Sequence, residues 1–376
     1  MKKWKFSFAV ALFYVIALSL SAFAAPKEPV EILKGTNGKV VKVIHKESVR
    51  VSDSKLTSIL SDAKEAITEE KSKIAQSQSG DIDKGTTYDY FTFDDNYSYL
   101  YEESALSEPE LIVYNVNKQT IVNPCNSFEP MAGQTDFIKD GVGGKQKVTK
   151  TGSAGSYLST QMTLPTSAQV SSNLAVHTPY NYGGFEYIST NPNGVGSWAS
   201  DLGLQLYNNL GPKGTAWGWK PIFILKQKIS ATDWTDYASI FPDSDHKEGQ
   251  YRNGYKPGTA PIMYFWYNNN GKVRMKVDGT TICPTRHGEE LSDTHNITIM
   301  ESNASWNISQ ITNWKLLSTV LSTNNTGKNR AVFSNVKVDG VAVPNAYFPT
   351  PEQDHASVTR SSNNVTIVVD SSVYQL

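Results

Sequence analysis

The sequence predicts a mainly β protein, an antiparallel two-sheet jelly-roll-like sandwich with a short helical N-terminal appendage. Three observations carry this. After residue 87, apolar residues recur at every second position in many short segments, the period of a half-buried strand. Gly, Asn and Pro punctuate those segments. A helical period appears in one stretch only, before residue 80. Short strands with many turns and little helix pack as stacked sheets, and no long internal repeat points to a solenoid or propeller.

The elements follow in order. Lys2, Lys3 and Lys5 precede an apolar run from Phe8 to Leu20 and the small-x-small step Ala22-Phe23-Ala24. This reads as a signal peptide over residues 1–24, with the mature chain starting at Ala25. The run is shorter than the roughly 20 residues of a spanning helix. No later stretch is apolar enough to span, and no Cys follows the cleavage site to carry a lipid. The expectation is a secreted, extracellular protein with no membrane span after signal cleavage.

Residues 25–86 read as a strand/helix appendage and linker. Val41, Val43, Val49 and Val51 alternate as in a strand. Leu56, Ile59, Leu60, Ala63, Ile67 and Ile74 then fall at helical spacing, with Lys55, Asp62, Lys64, Glu65, Glu69, Glu70, Lys71 and Lys73 elsewhere on the helix. Ser52 or Asp53 caps its start, and Gln76 to Asp81 is linker-like. A helix packed on the main body by its apolar stripe is the plainer reading. A removable pro-segment or a spacer to the wall is the other.

Residues 88–376 form the sandwich domain. Tyr88 to Phe93, Leu111 to Tyr114, Phe185/Tyr187, Leu202/Leu204/Leu206 and Trp219/Pro221/Phe223/Leu225 read as strands. Ile262 to Tyr267 leads through Asn270-Gly271 into Lys272 to Val277. Asn-Gly accepts the positive φ of a tight hairpin, so this is the clearest hairpin of the chain. Lys272, Arg274 and Lys276 then share one face, and Val273, Met275 and Val277 the other. Trp266, inside so apolar a run, is expected in the core. Ala331 to Val338 and Val365 to Val369 complete the set.

Charge excludes one class of partner. With 35 basic and 36 acidic residues the chain carries a net charge of −1, which gives no field for capturing nucleic acid. The 19% charged content is below the usual quarter of soluble domains, and polar uncharged residues fill the difference. Cys125 and Cys283 are the two cysteines. After export they form either one disulfide, worth about 4–5 kcal/mol in the chain-entropy model, or two separate thiols. Two cysteines so far apart do not make a zinc site.

Phe333-Ser-Asn-Val-Lys-Val-Asp-Gly340 resembles the late strand of concanavalin A-like jelly rolls, where an aromatic, an Asn and alternating Val precede a turn Gly. Gly183-Gly-Phe-Glu-Tyr187, Asp201 to Leu206 and Trp219 to Phe223 are similar to the middle strands of such domains. The pattern over about 140–345 also resembles the secreted Bacillus-type YrpD family. In carbohydrate-active jelly rolls the concave sheet holds a glycan, so the resemblance implies a sugar-facing sheet.

Catalytic patterns are sparse. Jelly-roll glycosidases similar to laminarinase carry Glu-x-Asp-x-x-Glu or Glu-x-Asp-x-Glu on one strand for acid and nucleophile roles. Here Glu186 stands alone on its strand, and Asp201 shares a face with Gln205. A Glu186/Asp201 pair across strands is the one alternative. Lyases of this type use Tyr and His with Arg and Gln. His177, Tyr180, Tyr182, Arg252, Tyr255, Arg286 and His287 supply residue types, but the Gln-Ile-His strand is missing. Neither Gly-x-Ser-x-Gly nor His-Glu-x-x-His occurs. Asp243-Ser-Asp245 offers oxygens for Ca²⁺, but Lys247 breaks the loop pattern and a solvated acidic turn is preferred. No metal site and no cofactor are expected.

Every tryptophan of the mature chain lies between Trp198 and Trp314. Trp217 and Trp219 share a face if extended, and Trp234 sits in a polar context. Such rings either stack on sugars or fill the sandwich core. The expected ligand-binding set is Trp217, Trp219, Trp234, Glu186 and Gln205. The expected function is a secreted bacterial protein that contacts a polysaccharide or cell-wall glycan without catalysis. A jelly-roll lyase or glycosidase and a structural envelope protein are the alternatives.

Overall fold

The computed structural model describes residues 30–34, 40–45, 50–76, 85–94, 96–115, 137–138, 140–150, 154–189, 196–228, 234–240, 251–303, 308 and 310–374. The leader-like residues 1–24, Cys125, Trp306, Asp243 and Asp245, and most of the expected linker fall outside them.

The N-terminal elements are β1 (Val30–Lys34), β2 (Val40–His45), helix α1 (Asp53–Gln76), β3 (Thr87–Phe93), β4 (Tyr97–Glu103) and β5 (Glu110–Asn115). Next come β6 (Gly141–Val148), β7 (Tyr157–Thr163), β8 (His177–Ser189), β9 (Gly196–Leu210), β10 (Ala216–Lys228) and β11 (Trp234–Ile240). The hairpin β12 (Ile262–Asn269) and β13 (Lys272–Thr281) leads to β14 (Thr294–Glu301) and β15 (Ile311–Ser322). The chain closes with β16 (Lys328–Val338), β17 (Val341–Ala342), β18 (Glu352–Asp354), β19 (Ala356–Ser361) and β20 (Asn364–Asp370).

These strands form two sheets, as the alternation predicts. One has 13 strands in the order β1-β2-β5-β4-β3-β14-β13-β12-β7-β16-β20-β19, with β17 on β16; the other has seven, β11-β10-β9-β8-β15-β6-β18. The pairing is antiparallel except at β2–β5 and β3–β14, which are parallel. The seam at β3–β14 joins strands 30–115 to the rest of the sheet. The expected appendage thus extends a sheet of the main body as well as packing a helix on it.

The main core lies between the sheets. Phe185, Leu202, Leu204, Trp219, Phe223, Trp314 and Leu316 of the seven-stranded sheet meet Phe91, Met263, Phe265, Met275, Phe333 and Ile367 of the other. A second core sits under α1. There Leu56, Ile59, Leu60, Ala63, Ala66 and Ile67 bury against Tyr88, Tyr90, Tyr99, Tyr101, Ile297 and Ile299. Each fully buried apolar side chain of this kind is worth about 1.5–3 kcal/mol, so the stripe rather than helix propensity fixes α1.

The β12–β13 turn behaves as its sequence dictates. Asn270 and Gly271 take φ of 53° and 85°, and the Gly271 amide donates to Asn268 Oδ1 at 2.9 Å. Val273, Met275 and Val277 are fully buried on one face. Lys272, Arg274 and Lys276 share the other, where α1 meets them: Lys272–Asp62 at 2.9 Å, Arg274–Glu69 at 3.0 Å and Lys276–Glu70 at 2.6 Å.

Candidate functional site

Alternation along β8, β9 and β15 sends one set of residues into the core and the other onto the outer face of the seven-stranded sheet. Phe185, Tyr187, Leu202, Leu204, Trp314 and Leu316 point in. Glu186, Asp201, Gln205, Asn313 and Lys315 therefore point out. Glu186 reaches over β15, taking an N–H from Asn313 Nδ2 at 3.1 Å, and meets two lysines of β6. Lys147 lies 3.5 Å from it and Lys145 3.9 Å. Lys145 and Lys147 also bind Glu352, at 2.7 and 3.1 Å respectively. Burial pushes the Lys145 amine below its ordinary value, against the pull of Glu352 and Glu186. For Lys147 burial is outweighed by those carboxylates, and its amine is held up.

Asp201 is engaged elsewhere. Its Oδ1 lies 2.5 Å from Lys315 Nζ, with both side chains more than nine-tenths buried. Gln205 pairs in register with Tyr180 and with Lys220. Glu186 and Asp201 thus share a face on adjacent strands, yet each carboxylate is bound to cations. That arrangement neutralises charge and offers no acid beside a base.

The expected tryptophans do not form a ring pair on this face. Trp219 is fully buried in the inter-sheet core, and Trp217, half-buried, packs against the same core. A β-bulge between Ala216 and Gly218 sets their position. Trp219 consequently has no face left for a sugar, which corrects its assignment to a binding set. Trp234 starts β11, but its side chain lies outside the described residues. Cys283 is buried and free among the described residues, with Cys125 of the alternative disulfide lying outside them; burial and then the Glu290 charge push its thiol up to about 11.

An exposed aromatic row stands instead on the outer face of the 13-stranded sheet. Met263 and Phe265 point into the core, so Tyr264 and Trp266 point out. This corrects the expectation that Trp266 is core. Their rings are nearly parallel, 14° apart with centroids at 5.6 Å. Tyr157, across the register on β7, adds a third ring 5.7 Å from Trp266 and 6.4 Å from Tyr264. All three are half-buried. Lys276 lies 4.3 Å from the Tyr264 centroid and the Arg274 guanidinium 6.0 Å from that of Trp266. Both cations are neutralised by carboxylates, Lys276 by Glu70 and Arg274 by Glu69 and Glu301. The ledge therefore presents rings and hydroxyls beside a balanced charge row. Sequence reasoning missed it because Ile262 to Tyr267 is apolar at every position, which leaves no period to assign faces.

A third assembly occupies the β3–β14 seam. Asp89 accepts from Tyr251 O–H at 2.8 Å and from Asn296 Nδ2 at 2.9 Å. Glu102, opposite it on β4, accepts the Arg286 backbone N–H at 2.6 Å. Burial raises both carboxyls, and for Glu102 the Asp89 charge adds to it. Glu110 behaves oppositely. Burial opposes it, but His287 at 3.0 Å, the Arg286 guanidinium and Lys42 at 2.6 Å hold its carboxyl well below the usual range. Arg286 and His287, weighed above as lyase residues, are thus spent on this seam. His177 instead meets Thr326 at 3.0 Å. Asp89, Glu102 and Arg286 are at most 2% exposed, so the seam is interior structure with no open face for a substrate.

Among the described residues no group of three or more His, Cys, Asp or Glu is arranged to hold a metal, and no helix is long and apolar enough to cross a membrane.

Comparison with known proteins adds the following. A Bacillus subtilis (strain 168) protein, "Uncharacterized protein YrpD", is 28% identical over 243 residues, 62% of this chain and 83% of that protein. Two solved structures overlay 61% of this chain and 98% of theirs at a TM-score of 0.32. One is Scytalido-glutamic peptidase with a peptide-based transition-state analogue, at 11% identity. The other is SCP-B, of the Eqolisin family of peptidases, with the tripeptide Ala-Ile-His, at 10%. A TM-score of that size lends no fold relationship and no chemistry to this chain. Residues 135–369 match the family described as "Domain of unknown function, YrpD", and the chain belongs to that family.

Proposed function

We propose that this is an exported protein that holds a neutral glycan of the cell exterior without cleaving it, on the ledge of Tyr157, Tyr264 and Trp266. One observation carries the reading: three half-buried rings form a contiguous row on an outer sheet face, two of them parallel. Aromatic rings bury large area against the apolar faces of sugars and keep a polar tip for hydroxyls. The charge beside the row is balanced, which favours an uncharged polymer over a uronate. The leader-like residues 1–24 support export. The two-sheet sandwich is compatible with the concanavalin A-like resemblance.

The test is retention on insoluble neutral polysaccharides and on a glycan array, with uronate polymers in parallel. Trp266→Ala and Tyr264→Ala should each lose about 5- to 150-fold in affinity, taking the about 1–3 kcal/mol of a base stacked on an aromatic ring as the guide. Their melting temperatures should stay near that of the parent, because the rings lie outside the core. No retention on any polymer, or retention unchanged in both variants, defeats the proposal.

A further inference from the structure

We propose that Lys315 and Asp201 close an intramolecular amide cross-link between β15 and β9, and that the contact between them is the pair poised to react. The inference does not depend on the glycan reading. It rests on where the register puts these two residues. Lys315 pairs with Gly184, and the flanking pairs Gly183↔Leu202 and Glu186↔Ala199 set Gly184 opposite Asp201. The three residues form one row across three adjacent strands, with a glycine in the middle. No side chain stands between the lysine and the aspartate, and Nζ meets Oδ1 at 2.5 Å above Gly184. That separation puts the nitrogen near the carboxyl carbon, in the range of about 3–3.5 Å from which attack proceeds.

The pair is shielded from water. Lys315 and Asp201 are 5% and 6% exposed, and Ile222, Ile224 and Leu317 on the same outer face are also buried.

Glu186 projects from the same face of β8 two residues beyond Gly184, where it holds Asn313 and Lys147. The step balances as follows. A proton passes from the ammonium to the aspartate, leaving a neutral amine beside a carboxylic acid. The nitrogen lone pair attacks Cγ. The second proton passes from nitrogen to the departing hydroxyl. The C–O bond breaks, one water leaves, and an Nζ–Cγ amide remains. No oxidant or cofactor is required.

Intact-mass spectrometry of the folded, unreduced protein tests this directly. The expected mass is lower than the sequence mass by one water molecule, with the peptides bearing residues 201 and 315 recovered joined. Lys315→Arg keeps the charge but should restore the full mass and separate the peptides. Asp201→Ala should likewise show its own full sequence mass and separate peptides. Full sequence mass in the parent protein overturns the proposal, as does a lost water that fragmentation places at any other residue.

Discussion

Gly184 takes φ of +146°, and a Cβ added there would meet the Ser200 carbonyl oxygen at 2.1 Å. Both facts require glycine: a side chain would push β9 off β8 at Ser200. Gly184→Ala should therefore cost about 2–3 kcal/mol, in line with overpacking of a closed site. Gly85, with nothing within 4 Å of its would-be Cβ, is the control. Urea midpoints of Gly184→Ala and Gly85→Ala, compared with the parent, check this; equal midpoints would contradict it. Neither glycine differs from the other in sequence, because close approach by a distant strand leaves no local mark. The tryptophans teach the same point. Trp217 and Trp219 looked like an exposed pair, yet a bulge and the opposing sheet bury Trp219. Trp266 looked like core, yet its strand is apolar on both faces, and only the pairing with Tyr157 and Arg274 decides which face is open.

At the level of elements, α1 and β13 were each legible but their contact was not. The stripe of Leu56, Ile59, Leu60, Ala63 and Ile67 follows from helical spacing, and the Lys272, Arg274 and Lys276 face follows from strand spacing. That Asp62, Glu69 and Glu70 would meet those three cations depends on tertiary placement, which no local period encodes. Glu70 is the buried member, 2% exposed, and bonds Lys276 at 2.6 Å and Lys73 at 2.9 Å. Removing it strands a buried ammonium, so Glu70→Ala should destabilise by about 3–5 kcal/mol. Replacing the pair together, as Glu70→Leu with Lys276→Met, should recover most of that loss. Chemical denaturation of the single and double variants decides; a double variant as unstable as the single one would show that packing, not charge burial, dominates.

For the whole molecule, the seam between residues 30–115 and the family domain sets the pH response. Burial and the neighbouring Asp89 charge push the Glu102 carboxyl from an ordinary 4.5 up to about 8. A raised acid binds its proton more tightly when folded. Its stabilising contribution is complete below 4.5 and is lost as pH rises through about 8. Glu110 runs the other way: its lowered value supports the fold above its ordinary 4.5 and fails as pH falls below that. Melting temperature should thus decline from mildly acidic toward mildly alkaline pH, and Glu102→Gln should flatten that decline. An unchanged slope in Glu102→Gln would remove Glu102 as the source. An amide between Lys315 and Asp201 would enclose residues 202–314. A closed loop of roughly 100 residues is worth about 4.7 kcal/mol in the chain-entropy model. Lys315→Arg should therefore melt well below the parent.

The parallel pairing of β3 on β14 has a consequence for any shorter form of the chain. A polypeptide beginning near residue 135 would keep β14 but lose its neighbour, leaving a row of unanswered amides and carbonyls along Asn296 to Glu301, with Ile297 and Ile299 stripped of the helix above them. Bare strand flanks of that kind recruit other strands. Such a truncated protein should elute as larger assemblies than the longer chain on size-exclusion chromatography, so residues 30–115 act as a guard against self-polymerisation.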